Sequence, residues 1–180
     1  MLLRHSLFLC LGLLLLAAPA SAQQRGNDEA RTSPNASVSQ TIGTTVATVG
    51  YSRPSVRDRE IFGDLVPYDA VWRTGANEAT TITFSGDVTV EGQPLSAGTY
   101  GLFTIPGEDE WTVIFNEMSE QWGAGDYDMS RDALRVTVEA SEADDTEMMT
   151  FSFEEVGESM GKLVLRWDET AVALTIGAGQ

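Results

Sequence analysis

Apolar and polar residues alternate with a period of two over most of this chain. In 45–52, Ala47, Val49 and Tyr51 fall on one side; in 80–85, Thr80, Ile82 and Phe84 do so; in 110–116, Trp111, Val113 and Phe115. The second half repeats the habit in 133–140 (Leu134, Val136, Val138), 149–156 (Met149, Phe151, Phe153), 162–167 (Leu163, Leu165, Trp167) and 171–176 (Val172, Leu174, Ile176). Successive side chains of an extended strand point to opposite faces, so each segment gains one apolar face. Further strand-like runs occupy 36–42, 87–95 and 99–105, with turn signals at Glu91-Gly92, Ala97-Gly98 and Pro106-Gly107. The pattern predicts an all-β chain: a single-domain antiparallel β-sandwich of about ten strands, jelly-roll-like in topology, over residues 35–177. No long helical period stands out, and only a short helical turn is expected, within 117–121. No repeat of solenoid or propeller length is visible.

Two stretches break the alternation. Residues 53–79 read RPSVRDREIFGDLVPYDAVWRTGANEA, and residues 117–132 read EMSEQWGAGDYDMSRD. Loops of this length are uncommon in compact domains and often functional. Both are expected to converge at one rim of the sandwich.

The first residues change the picture of where the protein acts. Arg4 and His5 precede an apolar run from Leu7 to Leu16, and Ala20-Ser21-Ala22 is a small-x-small cleavage signature. Residues 1–22 are therefore expected to be a cleaved signal peptide, leaving an exported protein, periplasmic or extracellular, with no membrane span. Residues 23–34 lack large apolar residues and read as a flexible leader. Cleavage removes His5 and Cys10, the one His and the one Cys of the chain. Cys nucleophiles, Ser-His-Asp triads, disulfides and His/Cys zinc sites then drop out, and no cofactor is expected.

Charge narrows the partners. The chain carries 27 acidic and 11 basic residues, a net charge of −16 that becomes −17 once Arg4 leaves. Such a surface repels nucleic acid. With Lys162 the one lysine, the composition also suggests adaptation to high salt, where carboxylate repulsion is screened. Oligomeric state is open.

The stretches VSQTIG, YSRPSVR, REIFGDLVPYDAVWRTGANEAT, LSAGTYGLFTIP and EWTVIFN resemble a bacterial family known as domain of unknown function 2911, over roughly residues 35–176. The resemblance implies an exported, mostly β protein and brings no activity, cofactor or catalytic residue with it. It also implies glycine where this chain has Asp58 and Asp69.

The candidate chemistry lies in the two loops. Arg53, Arg57, Arg59 and Arg73 concentrate positive charge in an acidic protein, and guanidinium forks suit carboxylate, phosphate or sulfate groups. Tyr68 and Trp72 offer flat faces; Asn77 and Glu78 add hydrogen-bonding groups; Trp122 and Tyr127 come from the second loop, with Trp122 expected beside Trp72 in an aromatic-walled cleft. Arg53, Arg59, Tyr68, Trp72, Arg73, Asn77, Glu78, Trp122 and Tyr127 form the candidate ligand-binding set. The competing expectation is a structural knot, with Arg73 paired to Glu78, Asn77 bonded to loop backbone, and Phe62, Leu65, Val66 and Trp72 plugging the sandwich.

Asp126, Asp128, Ser130 and Asp132 imitate a calcium loop but lack its glycine and its final glutamate, so no metal site is assigned. The leading expectation is a non-enzymatic binding module for a small anionic or sugar-like molecule, or an envelope component. Two alternatives stand beside it: a carboxylate-dependent glycan hydrolase using Glu78, Asp69, Asp126 or Asp128, and a structural or assembly protein of the envelope.

Overall fold

A computed structural model describes Gly26 and residues 29–179. The expected signal peptide, with His5 and Cys10, lies outside the described residues, as do 23–25, 27 and 28 of the leader. Nine strands form among the described residues: β1 (Asn35–Ile42), β2 (Thr45–Ser52), β3 (Thr80–Phe84), β4 (Val88–Val90), β5 (Gln93–Leu95), β6 (Gly98–Ile105), β7 (Glu110–Asn116), β8 (Asp132–Glu154) and β9 (Met160–Ala178). All pairings are antiparallel, in the order β1-β2-β3-β6-β7-β8-β9-β4-β5. No helix among the described residues is long and apolar enough to cross a membrane.

The two layers arise because β8 belongs to both. Its first part pairs with β7 up to Glu139, and from Ala140 onward it pairs with β9. The β4–β5 hairpin then joins the far side of β9. The all-β sandwich is therefore as expected, while the path through it is a meander carrying one displaced hairpin rather than a jelly-roll route. The strand count differs for a local reason. Residues 87–95 split at the Glu91-Gly92 turn into two strands, whereas 133–156 and 162–176 each run through as one. No helical turn forms within 117–121; the one 3-10 turn among the described residues is Met129–Arg131, capped by the Asp128 carboxylate, which accepts from the Ser130 amide.

Period-two alternation places Val49, Tyr51, Ile82, Phe84, Trp111, Val113, Phe115, Phe151, Leu163, Leu165 and Trp167 inside one shared core. A smaller apolar cluster sits apart from it: Ala79, Phe103 and Ile114, covered by Val71, Ala124 and Tyr127 from the two long loops. Those loops are thus fixed on the sheet by their own apolar contacts. Gly101 marks the close approach, since a Cβ there would sit 2.7 Å from the Met118 carbonyl oxygen.

Candidate functional site

The 53–79 loop is stitched to three parts of the scaffold. At its start, the Arg53 guanidinium donates to the Met149 carbonyl (2.8 Å) and the Thr150 hydroxyl (2.5 Å), while Met149 N–H donates to the Pro54 carbonyl and Val56 N–H to the Glu147 carbonyl. Further on, Trp72 and Thr104 exchange backbone hydrogen bonds at 2.7 and 2.9 Å, a two-residue extension of the sheet beside β6. At its end, Glu78 bridges Trp122, with Ala79 N–H donating to the Gln121 carbonyl and Gly123 N–H to the Asn77 carbonyl. The two loops do meet.

Backbone strain is concentrated here. Arg57, Asp58, Asp69, Thr74 and Asn77 all have positive φ, and for the β-branched Thr74 (φ 52°) that conformation is costly. Thr74 is held by buried partners: its hydroxyl reaches Thr104, and its carbonyl accepts from the Thr80 hydroxyl at 2.7 Å. Gly75 follows, and a Cβ there would lie 3.0 Å from the Ser52 carbonyl oxygen. The turn fixes the direction of Trp72 and Arg73. Asp58 and Asp69 occupy the left-handed conformation (φ 54° and 58°), which explains why glycine suits those positions.

Between this loop, the leader and β9 lies a cavity of about 230 Å³. Arg57, Arg59 and Arg73 line it, and no Asp or Glu does. Its apolar surface includes Leu65, Val66, Trp72 and Trp167. The Trp72 and Trp167 rings stack with centroids 5.8 Å apart and planes 20° apart, inside an aromatic cluster completed by Phe62 and Trp111. Thr32 and Ser33 of the leader form part of the rim. The leader is held there by Arg31, whose Nη1 donates to both Glu78 carboxylate oxygens (2.7 and 3.0 Å), and by Asn77 Nδ2, which donates to the Ser33 carbonyl.

The electrostatics of the cavity are unusual for so acidic a chain. Of the basic side chains among the described residues, Arg31, Arg131, Arg135, Lys162 and Arg166 each have a carboxylate partner. Arg53, Arg57, Arg59 and Arg73 form no ion pair with the described residues, and the last three line the cavity. Arg59 is braced by donating to the Val56 and Ser55 carbonyls (2.9 and 2.5 Å). Arg73 Nε is buried with no acceptor, and burial lowers the pKa of its guanidinium. Trp167 Nε1, on another residue lining the same cavity, is likewise buried without an acceptor.

The nine candidates therefore divide. Arg59, Trp72 and Arg73 line this cavity. Arg53 ties the loop to β8 instead. Asn77 and Glu78 bind the leader; the expected Arg73–Glu78 pair does not form, because Arg31 engages both Glu78 oxygens. Tyr68 lines a second cavity of about 260 Å³, with Phe62, Trp111, Glu108, Asp109, Glu142 and Glu169, opposite in charge.

Trp122 is not beside Trp72: it is 66% exposed, whereas Trp72 is buried among Phe62, Trp111 and Trp167. Tyr127 packs on Phe103 (5.2 Å) and donates to Asp132, while Arg135 donates to its oxygen. Of the plug residues, Phe62, Val66 and Trp72 join the core, but Leu65 stays partly exposed. Arg57 and Trp167 are additions. Arg57 was visible among the clustered arginines. Trp167 reads as one more inward residue of a strand, and its sole clue is an indole N–H on a core-facing position. Asp128 and Asp132 are occupied by loop contacts, including Asn116 Nδ2 to Asp132 at 2.7 Å.

The family model described as "Protein of unknown function (DUF2911)" matches residues 33–176, which include both loops and every residue of the cavity except Thr32. No curated protein and no solved structure matches the chain.

Proposed function

The chain belongs to the DUF2911 family, and from that premise we propose that it is an exported, non-enzymatic binding module whose cavity takes a small anionic molecule. One observation carries the proposal: three arginines that form no ion pair with the described residues, Arg57, Arg59 and Arg73, line a cavity with no carboxylate among its described lining residues, in a chain with 27 acidic residues. A guanidinium fork suits carboxylate, phosphate or sulfate groups, and three of them at one cavity free of carboxylates concentrate positive potential there. Export is supported by the apolar run and the Ala20-Ser21-Ala22 signature, and a secreted chain whose intact mass begins at Gln23 is the expected outcome. The absence of catalysis is supported by the loss of His5 and Cys10 with the signal.

Calorimetric titration with sulfate, phosphate and small carboxylates at fixed ionic strength tests the binding. Arg59→Ala and Arg73→Met are expected to weaken it at least tenfold each, about 1.4 kcal/mol or more. Trp122→Ala, outside the cavity, is expected to leave it unchanged. No heat and no thermal shift with any of these anions removes the proposal.

A further inference from the structure

We infer that two copies of this chain pair edge to edge through β1, antiparallel about a twofold axis at Ser39, so that their sheets run on as one. The two ends of the sheet are β1 and β5. They meet solvent differently. β5 is three residues long, Gln93–Leu95, and carries Pro94, which blunts an edge. β1 spans the eight residues Asn35–Ile42 in unbroken register with β2, without proline, bulge or charge. Such an edge is a template for another strand.

The groups it offers follow from the register. Ile42 and Thr45 close a two-residue turn at Gly43-Thr44, so Ile42, Gln40, Val38 and Ala36 spend their backbone bonds on β2. The same phase continues at both flanks: Arg53 N–H donates to the Pro34 carbonyl, and the Val46 carbonyl turns the other way to accept from Ser85 N–H. Ser37, Ser39 and Thr41 therefore aim their N–H and C=O groups away from the sheet, and these have no backbone partner among the described residues. The Thr41 carbonyl accepts from the Gln40 side chain at 2.9 Å, an exposed contact that a strand N–H would replace. All three residues are exposed. Asn35 is occupied, its side chain donating to the Gly26 carbonyl of the leader. With Ser39 opposite its own mate, Ser37 of each copy meets Thr41 of the other, and the whole outward row is paired.

Charge selects the occupant. Each copy carries −16, so two copies repel over most approaches. Residues 32–52, which include β1 and β2, hold no charged side chain, where the chain average of 21% would place about four in that length. A basic partner is drawn to carboxylates elsewhere, whereas a second copy meets no repulsion along this strand. No residue of β1 lines the arginine cavity, so the pairing stands apart from anion binding.

Sedimentation of the exported chain from about 1 µM to about 1 mM tests the pairing. A lone strand-to-strand seam belongs with small, transient interfaces, so a reversible monomer–dimer equilibrium is expected. It should tighten between about 0.1 and 1 M NaCl as repulsion is screened. At the lower salt, Ser39→Asp and Ser39→Lys each set like charges opposite one another and are expected to weaken the dimer several-fold; mixed one to one, they should recover it. Ser39→Pro removes an N–H that β2 does not use and should give a folded monomer. Gln93→Lys, on the far edge, should leave association unchanged. In wild type, amide exchange at Ser37, Ser39 and Thr41 should slow as concentration rises, while Val38 and Gln40 stay protected throughout; this measurement decides if the Ser39 variants do not fold. Monomer mass at every concentration and salt, association that weakens with NaCl, Ser39 variants that dimerise like wild type, a mixture no better than either variant alone, or outward amides that never gain protection overturn the inference.

Discussion

Arg73 is where folding and binding demands conflict. Its guanidinium is partly desolvated, its Nε has no acceptor, and its pKa is lowered by burial. A cation whose folded pKa lies below its unfolded value destabilises the fold at every pH where it is charged, which includes neutral pH. Replacing it with a neutral side chain of similar reach should therefore cost the free protein nothing: Arg73→Met is expected to unfold in urea within about 0.5 kcal/mol of wild type, or above it. A loss of several kcal/mol in that measurement marks Arg73 as a strut of the loop and defeats its assignment to a ligand.

Tyr127 behaves oppositely. Burial first, then the hydrogen bond to Asp132, pushes its phenol up to about 12, against the pull of Arg135. The folded state thus holds this proton more tightly than the unfolded chain. The resulting stabilisation is complete below about pH 10 and lost as pH rises through about 12. Tyr127→Phe is expected to flatten the alkaline limb of the stability profile in that window, and to remove a late-titrating component from the phenolate absorbance band, where Tyr100 is also shifted upward by burial.

At the scale of elements, the leader behaves as a strap. Residues 31–34 reach the body through the Arg31–Glu78 pair, Asn77 to the Ser33 carbonyl, and Arg53 N–H to the Pro34 carbonyl. Such a segment, polar and thinly packed, opens locally at low cost. Glu78→Gln is expected to lower stability by about 1–3 kcal/mol and to speed amide exchange in 29–35 while the strands stay protected. Unchanged exchange there means that the ion pair does not hold the segment.

This strap shows what the sequence could not reveal. The strands were legible because alternation is local: Thr45–Ser52 and Glu110–Asn116 fall where the pattern puts them. The middle of β8, SEADDTEM, was not, because a bending strand with both faces near solvent carries no apolar period. Arg31 and Glu78 are 47 residues apart, so their pairing is a product of the fold. Proximity in sequence favoured Arg73 as the partner of Glu78, and the left-handed Thr74 turns the chain between them instead. Three of the four clustered arginines reached the cavity as the charge pattern suggested, while the indole that completes it lay in a strand far along the chain.

The whole molecule carries two electrostatic effects that respond differently to salt. Its net charge of −16 spreads over the surface, and at molar ionic strength the Debye length falls to about 3 Å, so repulsion among carboxylates fades. Melting temperature is expected to rise between 0.1 and 1 M NaCl on that ground alone. The cavity is a separate, saturable effect, because an anion that binds only the folded state stabilises it by mass action. At fixed ionic strength, a small anion that binds the cavity should add about 1.4 kcal/mol to wild type at ten times its Kd.

Combining Arg57→Ala, Arg59→Ala and Arg73→Met separates the two effects. The variant's net charge moves from −16 to −19, so its melting temperature should climb with NaCl at least as steeply as wild type. Its response to the bound anion should vanish. A variant that keeps the anion's increment places the anion elsewhere on the molecule. One that loses the NaCl response instead makes the three arginines, rather than the acidic surface, the origin of salt dependence.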